Sequence, residues 1–281
     1  MAWPIEIAQY NQQIPMSLER LEHDGFRFMS SLDTWIYGQL FKPMHPRQTS
    51  EVIVLYHGLG AHLNTQGYID IAQSWTERGF YVIGMDCRHQ GGKTLGFPQR
   101  DPEGLYLSGM DQEKTYYYRQ IYLDAYRLID VALMLIPNAH LYATGGSQGG
   151  ALAIFAGTFH DAVELVMADM PSCIDIPYLI DKTESGFKVF KPYVKKMHPD
   201  ALRMLDTLST IDLSIISKHI QKPVLLSSGD SDQICPLETT RLFYDLMDCK
   251  KKLVVYPGYG HGGFDALHLN EKLEWIRRHA T

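Results

Sequence analysis

Six short apolar runs constrain this chain more than any other feature. They span residues 51–56 (EVIVLY), 80–85 (FYVIGM), 141–144, 165–168, 223–227 (PVLLS) and 252–256 (KLVVY). They show no polar alternation, so as strands they would be buried on both faces, as in a parallel sheet covered by helices. The stretches between them carry helical patterns, at 69–78, 116–135, 147–158, 237–247 and 269–278. In the second of these, Ile121, Ala125, Leu128, Ala132 and Leu135 mark one apolar face, and Gly79 follows the first as a C-terminal stop. Strand–helix alternation of this kind predicts an α/β fold with a mostly parallel, doubly wound sheet. Ahead of it, Gly25–Ser30 and Thr34–Phe41 read as an antiparallel pair.

One stretch breaks the rhythm. Residues 171–213 lie between two core strands and are too long for a simple crossover. They read as a helical, lid-like insertion over the C-terminal edge of the sheet, carrying Tyr178, Phe187, Phe190 and Tyr193, whose default role is to bury the insertion itself. With no linker and no internal repeat in view, residues 1–281 are expected to form a single domain.

Gly145-Gly146-Ser147-Gln148-Gly149 follows an apolar run and opens an Ala-rich helix. That strand–turn–helix setting is what a G-x-S-x-G nucleophile requires. The sharp turn projects Ser147 Oγ at the strand end, and the helix N-terminus favours developing negative charge. The bland alternative is a glycine turn that only packs a helix on a strand. A serine hydroxyl needs a base, and the base a carboxylate behind it, in the chain order Ser, Asp or Glu, His. After the fifth run come Asp230 and Asp232. Asp232, just before a helix, is the better placed, and Asp230 is assigned to holding the turn. After the last run comes His261, alone among the twelve histidines in the required position, while His268 reads as a surface residue. The oxyanion donors are expected to be the backbone N–H groups of Gln148 and of Leu59, the latter in His57-Gly58-Leu59-Gly60. His57 is expected to organise that loop and to take no part in the chemistry.

With these motifs in place, the chain closely resembles the acetyl xylan esterase and cephalosporin-C deacetylase family of α/β-hydrolases. The resemblance is carried in order from Val52 onward by Asp86-Cys87-Arg88-His89-Gln90-Gly91-Gly92, Thr115-Tyr116-Tyr117-Tyr118-Arg119, Tyr122-Leu123-Asp124-Ala125 and Thr144-Gly145-Gly146-Ser147-Gln148-Gly149-Gly150. It continues through Ala168-Asp169-Met170-Pro171, Asp232-Gln233-Ile234-Cys235-Pro236 and Val254-Val255-Tyr256-Pro257. The resemblance implies the α/β-hydrolase fold and a serine carboxylesterase that removes short acyl groups, acetyl above all, from sugar hydroxyls or cephalosporin-type acetates. It further implies no metal or cofactor, a cytoplasmic setting and a homo-oligomer, often a hexamer. The carboxylate two residues before Ile-Cys-Pro supports Asp232. The chain departs from the family where Arg-Gly-Gln-Gly becomes Arg88-His89-Gln90-Gly91, where a Tyr of the oxyanion loop becomes Leu59, and where the Glu after the catalytic His becomes Gly262. Arg88, Gln90 and Arg119 are expected to be structural, with Arg88 paired to a buried carboxylate.

Two other readings stand beside this one: another acyl hydrolase on the same scaffold, a thioesterase or a peptidase, and a non-catalytic binding protein. An intact Ser, Asp and His argue against the second. The resemblance implies a small acylated substrate, and the formal net charge of −6 at pH 7 predicts no nucleic-acid partner. The cluster Lys250-Lys251-Lys252 reads as a solvated turn. No apolar run is long enough to span a bilayer, which predicts no membrane partner, and the N-terminus lacks the pattern of a signal peptide. Cys87, Cys173, Cys235 and Cys249 have no zinc or redox spacing and are expected to be reduced. If His261 is the base, activity should rise with pH as the imidazole loses its proton.

Overall fold

The computed structural model describes residues 3–95, 102–195 and 200–280. Among them, nine strands form one sheet. In chain order, the helix α1 (Trp3–Gln13) precedes β1 (Leu18–Arg20), β2 (Gly25–Ser30), β3 (Thr34–Phe41) and β4 (Glu51–Tyr56). Then come α2 (Gln66–Thr76), β5 (Tyr81–Met85), α3 (Pro102–Leu107), α4 (Tyr117–Leu135), β6 (His140–Gly146), α5 (Gln148–Phe159) and β7 (Val163–Asp169). The insertion contributes α6 (Ile176–Lys182), α7 (Lys191–Lys195), α8 (Ala201–Ser209) and α9 (Leu213–Ile216), and β8 (Val224–Gly229), α10 (Leu237–Leu246), β9 (Lys251–Tyr256) and α11 (Asp265–His279) close the chain.

The strand order is β1-β2-β3-β5-β4-β6-β7-β8-β9. From β5 to β9 every neighbouring pair is parallel, while β1, β2 and β3 join as an antiparallel flank. The order reverses at β4, the topological switch where ligands bind in open α/β sheets. Strands β4, β6, β7 and β8 are almost wholly buried, as their unbroken apolar runs require. The core on one face joins α1, α4 and α5 to the sheet, and a second cluster, around Trp75 and Trp275, fills the α2/α11 face.

Several local outcomes differ from the sequence reading. The last helix starts at Asp265 rather than near Leu269. Lys251 and Lys252 lie inside β9, where Lys251 Nζ donates to the carbonyls of Tyr244 and Met247 at 2.7 Å each and Lys252 pairs with Glu271 at 2.6 Å. A lysine at the end of a helix meets its unpaired carbonyls, so one cation of the strand, Lys251, finishes α10. The 171–213 stretch is helical, although its residues 196–199 lie outside those described. Leu213 N–H to Cys173 O at 2.8 Å closes its end onto its start, and Glu184 N–H to Gln233 O at 3.2 Å joins it to the loop after β8. Phe187 and Phe190 are buried in its packing, Phe187 against the rings of Tyr106 and Tyr118. No helix among the described residues is long and apolar enough to cross a membrane.

Candidate active site

Ser147 occupies the turn between β6 and α5 with φ 55° and ψ −120°, a backbone conformation that costs a non-glycine residue free energy. The surroundings hold it there. Its N–H donates to Asp169 O at 2.9 Å, and its carbonyl accepts from Ala151 N–H and Ser172 N–H at 3.1 Å each. The helix approaches the end of β4 so closely that a Cβ on Gly149 would stand 2.1 Å from Tyr56 O. Only glycine permits that contact.

The loops after β8 and β9 bring the other two expected residues together. Nδ1 of His261 lies 2.8 Å from Oδ2 of Asp232, whose side chain is fully buried. The carboxylate can only accept, so Nδ1 carries a proton, and in the neutral ring the lone pair falls on Nε2. Asp232 Oδ1 accepts the N–H groups of Ile234 and Cys235 at 2.8 and 3.0 Å, which locks the carboxylate in place. Asp230 takes another direction: its Oδ1 accepts Gly258 N–H at 2.8 Å and so ties the acid's loop to the loop that carries His261. The thiol of Cys235 lies near the Ser147 side chain. Burial, reinforced by Asp232, pushes that thiol well up, so it stays protonated.

The loop after β4 and the loop after β5 are stitched to the Ser147 turn by two residues. His57 donates from Nδ1 to Gly58 O at 2.8 Å and accepts Cys87 N–H on Nε2 at 2.9 Å. Burial lowers its pKa, so the ring is neutral and serves as a fixed brace. Gln90 accepts Gly60 N–H at 2.8 Å and donates to Gln148 Oε1 at 2.9 Å and to Tyr117 OH at 2.6 Å. The segments bearing Leu59 and Gln148 are thereby held against each other, and a Cβ on Gly58 would reach within 3.6 Å of Gly146 O. Arg88 finds its carboxylate in Asp124, with Nε and Nη2 each 2.7 Å from one of the oxygens and both side chains fully buried. Arg119 pairs with Glu6 of α1 and stacks 4.3 Å over Trp3.

One group of residues was missed. His268, read as a surface residue, is fully buried and faces Asp169, Lys272 and Tyr256. A His and a Lys four apart on a charged terminal helix look like a solvated face, and nothing local marks them otherwise. Their partners come from β7 and β9.

The doubly wound sheet, the strained serine at its strand–helix turn and the Asp–His pair on two later loops together have the layout of an α/β-hydrolase. Within that class, the chain belongs to the acetyl xylan esterase family, whose sequence model matches residues 10–279 and so extends the likeness well ahead of Val52. An acetyl esterase of Xylanibacter ruminicola is 25% identical over 182 residues, which is 63% of this chain and 40% of that protein. The chain therefore spans less than half the length of that relative. Two solved structures share the fold almost throughout. An acetyl xylan esterase from Paenibacillus sp. R4 superposes with a TM-score of 0.85 at 22% identity, covering 99% of this chain and 93% of the other. Acetyl xylan esterase 1 from Thermoanaerobacterium sp. JW/SL YS485 gives 0.81 at 23% identity, covering 97% and 92%.

Proposed function

We propose that this protein is a serine carboxylesterase that removes acetyl and other short acyl groups from hydroxyls, with acetylated sugars or cephalosporin-type acetates as the substrate class. The observation that carries this reading is the 2.8 Å contact from His261 to Asp232, made on the loops that follow the strand order behind Ser147. Membership of the acetyl xylan esterase family and the name of the Xylanibacter relative support acetyl as the acyl group.

The chemistry follows from the residues. Ser147 Oγ attacks the ester carbonyl as His261 Nε2 takes its proton, and Asp232 stabilises the imidazolium that forms. The oxyanion receives the N–H groups of Leu59 and Gln148, the second of them at the N-terminus of α5. His261 returns the proton to the leaving alcohol. It then deprotonates water, which attacks the acyl-serine; the C–Oγ bond breaks, His261 returns the proton to Ser147 Oγ, and the carboxylic acid leaves. With Leu59 in place of a tyrosine, backbone donors alone serve the loop side of the oxyanion.

Initial rates on p-nitrophenyl esters from acetate to octanoate, for wild type and Ser147→Ala in parallel, test the proposal. A preference for acetate that disappears in the variant is expected. Equal rates in the two proteins would remove Ser147 as nucleophile. Better hydrolysis of a thioester or a peptide amide than of the acetate would move the enzyme to another substrate class.

A further inference from the structure

Behind the nucleophile turn lies a buried charged cluster that the reaction above leaves unused. Asp169 ends β7 directly beside Gly146 of β6, and its carbonyl accepts the Ser147 N–H. Its carboxylate faces three groups. Oδ1 accepts Ser227 Oγ–H at 2.7 Å and lies 3.3 Å from His268 Nε2, and Oδ2 receives Lys272 Nζ. Lys272 Nζ also donates to Thr144 Oγ1 at 3.1 Å. Tyr256 OH lies 2.8 Å from His268 Nδ1, so with the phenol donating there the ring proton sits on Nε2, which is near Asp169 but makes no hydrogen bond to it.

Two features set this cluster apart from ordinary packing. It ties β7 to β6, β8, β9 and α11, four elements that lead into or out of the turns bearing Ser147, Asp232 and His261. It is also a buried ion pair where apolar side chains of similar volume would hold the elements together at least as well, since burying two charges consumes most of what their attraction returns. What an ion pair adds, and apolar packing does not, is one fixed direction for each group.

We infer that Lys272, acting through Asp169, is a positioning residue for the nucleophile: it fixes the peptide whose carbonyl holds the Ser147 N–H, and with it the aim of Ser147 Oγ and of the Gln148 N–H that follows. The inference rests on Ser147 being the nucleophile. The same cluster fastens α11, which begins just after His261, to the strand that ends at Ser147, so base and nucleophile share one frame. A cleft of about 690 Å³ between α2 and α11 reaches Gly146, Asp169 and Lys272, so the pair also forms part of its floor.

The test is the paired substitution Asp169→Asn with Lys272→Met, which removes both charges and leaves neither partner stranded. The melting temperature, kcat and KM on p-nitrophenyl acetate, and the rate of Ser147 labelling by a fluorophosphonate are measured against wild type. Labelling of the wild-type protein at Ser147 checks the underlying assignment separately. The expected result is a fall in kcat per labelled site on the order of 10- to 100-fold, with KM unchanged and labelling slowed in parallel, as a small misplacement of a reacting atom would cause. A variant that folds and keeps wild-type kcat and labelling overturns the inference and leaves the cluster a structural pair. Should the paired variant not fold, Thr144→Val, which removes one acceptor from the ammonium and the hydroxyl's bond to Met167 O, carries the same test beside Lys272→Met alone: lowered kcat at unchanged KM in both supports the inference, and wild-type kcat in either overturns it.

Discussion

Asp232 and His261 face each other at 2.8 Å across two loops, while Asp230, two residues before Asp232, bonds the Gly258 N–H instead. The two carboxylates therefore do different work, one on the imidazole and one on the backbone. Asp232→Asn should lower kcat by on the order of 10⁴-fold, because the amide favours the wrong tautomer of His261. Asp230→Asn retains an acceptor for Gly258 and should keep kcat within about tenfold of wild type. Steady-state rates of the two variants side by side settle the assignment, and the reverse order of effects would exchange the roles.

Arg88 and Asp124 form a fully buried, two-pronged pair, with Thr34 Oγ1 and Ser31 Oγ taking further guanidinium protons at 3.2 and 3.0 Å. Asp124→Ala leaves the guanidinium buried without its counter-charge. The expected loss is about 3–5 kcal/mol of folding stability. It should appear as a lower denaturant midpoint with an unchanged slope, and an unmoved midpoint would show that water or another acceptor replaces Asp124.

Burial lowers the pKa of His268 from its ordinary 6.5 to about 4, with Asp169 opposing the shift and Lys272 adding to it. Glu271 and Lys252 act on it in smaller measure. The sign follows directly. Between pH 4 and 6.5 the unfolded chain binds more protons at this position than the folded one, so stability rises with pH there. The contribution is complete above about pH 6.5 and is lost as pH falls through about 4, up to a few kcal/mol. His57, also lowered by burial, adds in the same direction. Melting temperatures of wild type and His268→Gln at pH 7, 5.5 and 4.5 read the effect. The variant should show the shallower decline, and parallel declines would mean that His268 titrates normally.

Much of the fold was legible because its physics is local. Unbroken β-branched runs can only be strands buried on both faces, and Gly25–Ser30 and Thr34–Phe41 form the strands expected of them. The expected order Ser147, Asp232, His261 follows from where loops leave such a sheet. What escaped depends on partners distant in sequence. Nothing near Arg88 announces that Asp124, on a helix, will neutralise it. α1 was passed over although Trp3, Ile7 and Tyr10 share one face, because Gln and Asn fill much of the rest of the helix. The first turn of α11 holds Asp265 and His268, which do not extend the apolar pattern, so the helix seemed to start late. His268 looked solvated because a residue's charge says nothing of a carboxylate waiting on another strand.

The lysines of β9 have a second consequence, at the rim of the sheet. A sheet with two free margins offers unpaired peptide groups that another chain can extend, and this is a common route to aggregation. At one margin stands β1, only three residues long. At the other stands β9, with Lys251 and Lys252 in its first two places and Lys250 just before it. Neither margin presents a long apolar template, so the chain is guarded at both ends of its sheet against adding strands from its own copies in a crowded solution.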